Sequence, residues 1–187
     1  MRAVVGLGNP GPEYAATRHN AGFWVADALV ARWGFSPFRR GERARISTGE
    51  IDGQPVRVLK PTTMMNRSGA ALVSLRAEPT FVPATDLLIV VDDFNIPSGT
   101  FRLRSSGSAG GHNGLKSIEA ALQSQDYARL RIGIGPLPAG NPWEDFVLAP
   151  FSAEEEEQLS ALMPALVEAV DGWVRGVGGA AASEPAP

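Results

Sequence analysis

Along the chain, continuous apolar runs alternate with apolar residues at helical spacing, and turn-forming residues separate them. Arg2–Leu7 is such a run and ends in Gly8-Asn9-Pro10-Gly11-Pro12, which predicts a buried first strand followed by a turn-rich loop. Phe23, Trp24, Ala26, Leu29, Val30 and Trp33 then mark an amphipathic helix that stops at Gly34. Strands over Arg45–Ile51 and Val56–Lys60 flank Asp52-Gly53, a pair suited to a tight hairpin because both residues tolerate positive φ. Pro61 ends the second of them, and Asn66–Leu75 has the spacing of a short helix, weakened by Gly69.

Leu87–Val91 is unbroken aliphatic sequence followed by two acids, the pattern of a central strand covered on both faces. Further strands are expected at Phe101–Arg104 and Arg129–Ile134, with a helix from about Leu115 to Leu122 between them. Ser152-x-x-Glu155 is a capping box, and the glutamates at 154–157 suit the N-terminus of the helix that follows. That helix carries an apolar stripe through Leu159, Leu162, Leu166, Val170 and Val174, and Pro164 is expected to kink it. Strands alternating with helices, plus one hairpin, predict a single α/β domain over residues 1–175 with a mixed sheet. The Gly/Ala/Pro-rich stretch 176–187 is expected to be a disordered tail.

Composition narrows the chemistry. The 187 residues include no cysteine, which excludes disulfides, thiol nucleophiles and zinc ribbons. No aliphatic run approaches the length of a membrane span, and the residues before the first glycines are too few for a signal peptide. A soluble, cytoplasmic protein with no membrane association is therefore expected. Net charge is −3, but residues 1–140 sum to +5 and residues 141–187 to −8, so an acidic total hides a basic part.

With two histidines, neutral-pH acid–base chemistry has few candidates. His19 lies in Thr17-Arg18-His19-Asn20 and His112 in Gly110-Gly111-His112-Asn113-Gly114, both polar loops ahead of predicted helices. Taken alone, a loop histidine is more often structural or merely exposed than catalytic. Asp92 and Asp93 stand at the carboxyl end of the aliphatic strand, where α/β folds gather their sites. Alternation sends the two side chains to opposite faces, and Asp93 fits an exposed turn position better. Gly6-x-Gly8-x-x-Gly11 matches a dinucleotide fingerprint in letters only, because Pro10 and Pro12 occupy the place where a phosphate-binding helix would begin. There is no metal-ligand spacing and no Gly-x-Ser-x-Gly elbow. A His–Asp pair activating water, with Asn9, Asn66 and Asn113 orienting substrate, describes a hydrolase without metal or cofactor.

Five segments resemble bacterial-type peptidyl-tRNA hydrolase. They are Gly6-Leu7-Gly8-Asn9-Pro10-Gly11 through Tyr14, Thr17-Arg18-His19-Asn20 and Gly22-Phe23; Lys60-Pro61-x-Thr63-x-Met65-Asn66-x-Ser68-Gly69; Asp92-Asp93; Gly110-Gly111-His112-Asn113-Gly114-Leu115; and Arg129-Leu130-Arg131-Ile132-Gly133-Ile134-Gly135. The resemblance implies one α/β domain, a twisted mixed β-sheet flanked by α-helices, and hydrolysis of the ester between a peptide and the 3′-terminal ribose of tRNA. It implies His19 as general base, Asp92 as its orienting partner and Asn9 as the reader of a blocked amino group. Asn66 and Asn113 would bind the peptide backbone and the CCA end, Tyr14 and Met64 would line the cleft, and Arg104 and Arg131 would meet tRNA phosphates. It further implies a monomer with no obligate protein partner. Three positions depart from the family pattern: Met64 replaces an aromatic, Asn95 replaces an acid, and Ser105, Ser106 and Ser108 interrupt a glycine-rich loop. A second class, an RNA-binding relative that has lost the activity, would carry an extra hydrophobic partner segment, and none is evident.

Overall fold

The structure, a computed structural model, describes residues 1–177. Seven strands form one sheet in the order β2-β3-β4-β1-β5-β7-β6. The strands are β1 (Arg2–Gly6), β2 (Arg39–Arg40), β3 (Ala44–Ile51), β4 (Gln54–Pro61), β5 (Leu87–Pro97), β6 (Phe101–Arg104) and β7 (Ala128–Gly135). The central strands β4, β1, β5 and β7 are parallel, while β2, β3 and β6 add antiparallel edges. The sheet is mixed, as expected.

Strand alternation divides the core in two. Val4, Leu88 and Val90 point to one face, where they meet α1 (Ala21–Trp33) and α6 (Ala153–Arg175) through Val25, Leu29, Leu166 and Val170. Ala3, Val5, Leu87, Ile89 and Val91 point to the other, against Leu72, Leu75, Leu115 and Ile118. These come from the 3₁₀ stretch Met65–Leu72, α2 (Val73–Arg76) and α4 (Asn113–Leu122); α3 (Pro83–Asp86) leads into β5. With both faces covered, Ala3–Val5 of β1 and Leu87–Val91 of β5 are apolar at every position rather than at every second one.

Local chemistry sets the boundaries. Asp52 and Gly53 both have positive φ and close the β3–β4 hairpin with Ile51 opposite Gln54. Gly34 ends α1 in the left-handed conformation, and Ser152 with Glu155 forms the reciprocal capping box of α6. α6 keeps its helical assignment through Pro164 to Arg175, and Gly176 caps its end. Of the expected tail 176–187, residues 178–187 lie outside those described.

Three expectations are revised. β5 does not end at the two acids but continues to Pro97, with its register to β7 shifting between Asp93 and Pro97. The helix expected over Asn66–Leu75 is mostly 3₁₀, broken by non-helical dihedrals at Arg67. β2, whose two residues carry no periodicity, and α5 (Trp143–Leu148), whose six span under two turns, are additions to the expected elements.

Where α1 begins, it crosses the end of β1 at unusually short range. A Cβ on Gly22 would stand 2.5 Å from the carbonyl oxygens of both Leu7 and Val90. Backbone cannot yield there as a flexible side chain can. Gly22→Ala is expected to cost about 2–3 kcal/mol in urea unfolding, against a few tenths for Gly53→Asn in the open hairpin. Equal midpoints for the two variants would show that the approach is not tight in solution.

Candidate functional site

The site forms at the carboxyl ends of β1 and β5, beside β7, where the chain leaves β1 for a loop that returns through two 3₁₀ turns, Pro12–Tyr14 and Arg18–Asn20. His19 lies in the second turn and is 6% exposed. Asp92, 2% exposed, reaches it from β5: His19 Nδ1 stands 3.0 and 2.9 Å from the two carboxylate oxygens. On the other side His112 Nε2 lies 3.1 Å from Asp92 Oδ1. One carboxylate therefore sits between two imidazoles whose ring centroids are 5.1 Å apart.

The surrounding backbone distinguishes the two histidines. His112 is the N-cap of α4, and its Nδ1 accepts the amide N–H groups of Gly114 at 3.1 Å and Leu115 at 3.4 Å. That nitrogen must carry a lone pair, so Nε2 carries the proton and donates to Asp92. Both nitrogens of His112 are thus committed. His19 donates its Nδ1–H to Asp92, and its Nε2 lone pair has no hydrogen-bond partner among the described residues. Of the two rings, His19 is the one with a nitrogen left open.

His19, Asp92 and His112 also form a group that could ligate a metal, with one donor atom from each all within 4.8 Å of one another. Spacing along the chain gave no sign of this cluster. Hydrogen bonds of ordinary length already account for its geometry. For His112 to ligate through Nε2 it would have to take the other tautomer, whose Nδ1–H would collide with the α4 amides. The donor set therefore fits a hydrogen-bonded triad better than a metal centre.

Burial and charge act in opposition on both central groups. Burial favours neutral imidazole at His19, but the charge of Asp92 and its hydrogen bond outweigh it and raise the pKa above the ordinary 6.5. Burial likewise penalises the Asp92 carboxylate, but the two imidazoles overcome this and hold it well below the usual carboxylate range.

Two cavities meet at His19. One, of about 260 Å³, is lined by Asp92, Asp93, Phe94, His112, Lys116 and Arg131; the other, of about 220 Å³, by Asn9, Met64, Met65, Asn66 and Leu148. Asn113, Trp143 and Val147 border both. Asn9 is buried, and its Oδ1 accepts the Met65 amide at 2.7 Å, which leaves its Nδ2–H₂ as the donor for a ligand. Asn66 and Met64 are exposed at the second cavity's rim, and Asn113 opens α4.

Other expected positions fall differently. Asp93 is not an exposed turn residue. It lines the first cavity with Asp92, accepts the Asn95 amide and pairs with Arg131 Nη1 at 3.3 Å, because β5 runs on past it. Arg131 also donates to the carbonyl of Ser108 at 2.7 Å, and buried Arg129 donates to the same oxygen at 3.2 Å, so the serine-bearing loop is pinned at that point. Arg104 is remote. It pairs in register with Arg129, which is opposite Ile89, about 10 Å along β5 from Asp92. Arg104 lines a separate cavity with Arg2 and Trp173. Tyr14, half-buried in its 3₁₀ turn, borders neither cavity at His19. Trp143 and Val147 were not foreseen, since the short α5 that carries them has no readable period; Pro142 just before an apolar aromatic was the available signal.

Comparison with known proteins identifies the family. Residues 3–184 match the family described as peptidyl-tRNA hydrolase. The chain is 42% identical over 177 residues to a peptidyl-tRNA hydrolase of Gemmatimonas aurantiaca, covering 93% of each, and 47% identical to one of Roseiflexus castenholzii, covering 91% of this chain and 80% of the relative. The crystal structure of peptidyl-tRNA hydrolase from Acinetobacter baumannii superposes with a TM-score of 0.86 at 35% identity, covering 94% of this chain and 89% of that one.

The two shifted groups make a stability prediction. The raised His19 pKa contributes stability that is complete below 6.5 and is lost as pH rises through the folded value. The depressed Asp92 pKa contributes stability that is complete above the ordinary carboxylate value of 3.8 and is lost as pH falls through the folded value. Both are present between roughly pH 4 and 6. The destabilisation caused by Asp92→Asn, read from urea midpoints, is expected to be largest in that window and to shrink toward pH 8.5. A penalty independent of pH would mean that the two groups are not electrostatically coupled.

Proposed function

The chain belongs to the peptidyl-tRNA hydrolase family, and from that premise we propose how its site hydrolyses the ester between peptide and tRNA. His19 Nε2 takes a proton from a water molecule as the water oxygen attacks the ester carbonyl. Asp92 accepts the His19 Nδ1–H, holds the tautomer that leaves Nε2 free, and stabilises the imidazolium as it forms. His112 fills the second acceptor site of Asp92 and fixes the carboxylate's orientation. When the tetrahedral intermediate collapses, the His19 proton passes to the departing ribose oxygen, releasing free tRNA for reuse in translation. The reaction needs no metal and no other cofactor. The observation that carries this reading is the asymmetry of the histidines: both His112 nitrogens are engaged, while His19 presents a lone pair where two cavities meet.

Asn9 Nδ2 is oriented by the Met65 amide held at its other end. A fixed amide donor suits an acyl carbonyl and cannot be satisfied by a free ammonium, which would favour blocked substrates. Asn66 and Asn113 are assigned to the peptide backbone and the CCA end, with Met64 on the cleft wall. Tyr14, outside both cavities, is left a role at most in the loop's packing. Arg131, in the lining of the first cavity together with Lys116, is assigned to acceptor-stem phosphates, and Arg104 meets phosphate only farther along that face. The chain acts as a monomer on peptidyl-tRNA. Among the described residues no helix is long and apolar enough to cross a membrane.

Incubation of the purified protein with N-acylated aminoacyl-tRNA tests the chemistry. His19→Ala is expected to lower kcat by about 10²–10⁴-fold with tRNA binding kept. His112→Ala, which loosens Asp92 without removing the base, is expected to lose much less. A larger loss from His112→Ala than from His19→Ala would reverse the roles assigned to them.

The RNA contact is tested separately. If Arg131 neutralises a phosphate, Arg131→Ala should reduce the magnitude of the log K against log[salt] slope by somewhat under 1 and raise KM on full-length substrate. Arg104→Ala should have a smaller effect of the same kind. Hydrolysis of a minimal substrate carrying only the acylated 3′ end should change little in either variant. Equal losses on both substrates with an unchanged salt slope would make these arginines structural.

A further inference from the structure

Arg18 precedes the base in a turn of only three residues, so its side chain cannot shift far without moving His19. All three of its guanidinium nitrogens are engaged. Nε donates to Glu155 Oε1 at 2.9 Å, Nη2 to Glu155 Oε2 at 2.8 Å and Nη1 to the Phe146 carbonyl at 2.9 Å, with the Phe146 ring 4.2 Å away. The side chains are 12% and 18% exposed, and the fork geometry is the strongest form such a pair takes. Glu155 has a second duty, accepting the Ser152 amide at 2.7 Å as the third residue of α6. Burial works against its charge, but Arg18 and Ser152 outweigh this and keep its pKa below the ordinary value.

The backbone runs in parallel with this pair. The Arg18 amide donates to the Ala149 carbonyl at 3.1 Å, the Phe151 amide donates to the Ala16 carbonyl at 3.0 Å, and Thr17 bridges to Pro150. On the far side of His19, Asn20 exchanges two hydrogen bonds of 2.9 Å with the backbone of Asn9. His19 is thus held between a fixed point on the β1 loop and a fixed point on the α5–α6 segment. The latter segment also supplies Val147, which borders both cavities.

Resting on the function proposed above, we propose that Arg18 and Glu155 are positioning residues: their ion pair sets the distance between the catalytic imidazole and the cleft wall of α5. Neither touches the reacting atoms. Their effect is on the placement of Nε2 over the ester, where a displacement of about 1 Å costs on the order of a hundredfold in rate.

Three variants separate positioning from stability. Arg18→Lys keeps the charge but cannot hold both Glu155 oxygens and the Phe146 carbonyl at once. Glu155→Gln keeps an acceptor for the Ser152 amide but loses the charged fork. Ser152→Ala removes the hydroxyl cap of α6 and leaves the ion pair whole. The first two are expected to lower kcat about ten- to a hundredfold with KM changed less than about threefold. Ser152→Ala is expected to lower Tm while kcat, measured well below Tm, stays within about twofold. Long-range ¹H–¹⁵N spectra of the two imidazoles give a readout independent of activity, in which Arg18→Lys lowers the His19 titration midpoint by loosening its contact with Asp92. If the ion-pair variants lose stability alone, with kcat kept as in Ser152→Ala, the pair is merely structural and the proposal fails. A wild-type protein without hydrolytic activity would refute the functional reading instead. The His19 midpoint would then decide the positioning claim, an unmoved value overturning it.

Discussion

A carboxylate within a strand buried on both faces must be compensated or it will not stay ionised, and the arrangement around Asp92 follows from that constraint. β5 carries five consecutive aliphatic residues into the sheet and then places a charge where water barely reaches. Two imidazole N–H groups from different parts of the chain converge on it. One arrives on the arm that follows β1, the other on the first turn of α4. Removing either donor would leave buried charge short of a partner, which is far costlier than losing a surface ion pair. The same contact that stabilises the carboxylate joins three elements that are not neighbours in sequence.

The electrostatics pull stability and chemistry apart. The Asp92 carboxylate favours the protonated form of His19, yet a base must be neutral to take a proton. The general-base role proposed for His19 therefore draws on the protonation state that Asp92 favours less. Support from elsewhere does not depend on the charge of His19: the Asn9–Asn20 exchange, the α4 cap at His112 and the close crossing of α1 over β1 at Gly6 hold the groups in place.

Much of this was legible in the sequence, for identifiable reasons. β1, β5 and α6 announce themselves because burial imposes uniform or periodic apolarity over many residues, and the β3–β4 hairpin because Asp52-Gly53 fits few other turns. His19, Asp92 and Asn9 stood out as chemistry held in loops and at a strand end. The difference between the two histidines was not readable, since it depends on where the amides of Gly114 and Leu115 point. Nor was the difference between Arg104 and Arg131, both strand arginines by letter, which only the β6–β7 register separates. Asp93 was misjudged because the local irregularity that lets β5 continue to Pro97 leaves no mark in composition. α5 was missed because six residues are too few to show a period.

The two outermost strands have a bearing on solubility that the site does not. β2 is only Arg39–Arg40, both exposed, and β6 is four residues with arginines at 102 and 104. An open sheet ends in unpaired backbone that can template further strands, and brevity together with cationic side chains opposes such growth. A second copy approaching either edge would bring arginines against arginines. The arginines that discourage strand addition at both margins are among those that raise the positive charge of the first 140 positions, so edge protection and the charge asymmetry of the chain draw on the same side chains.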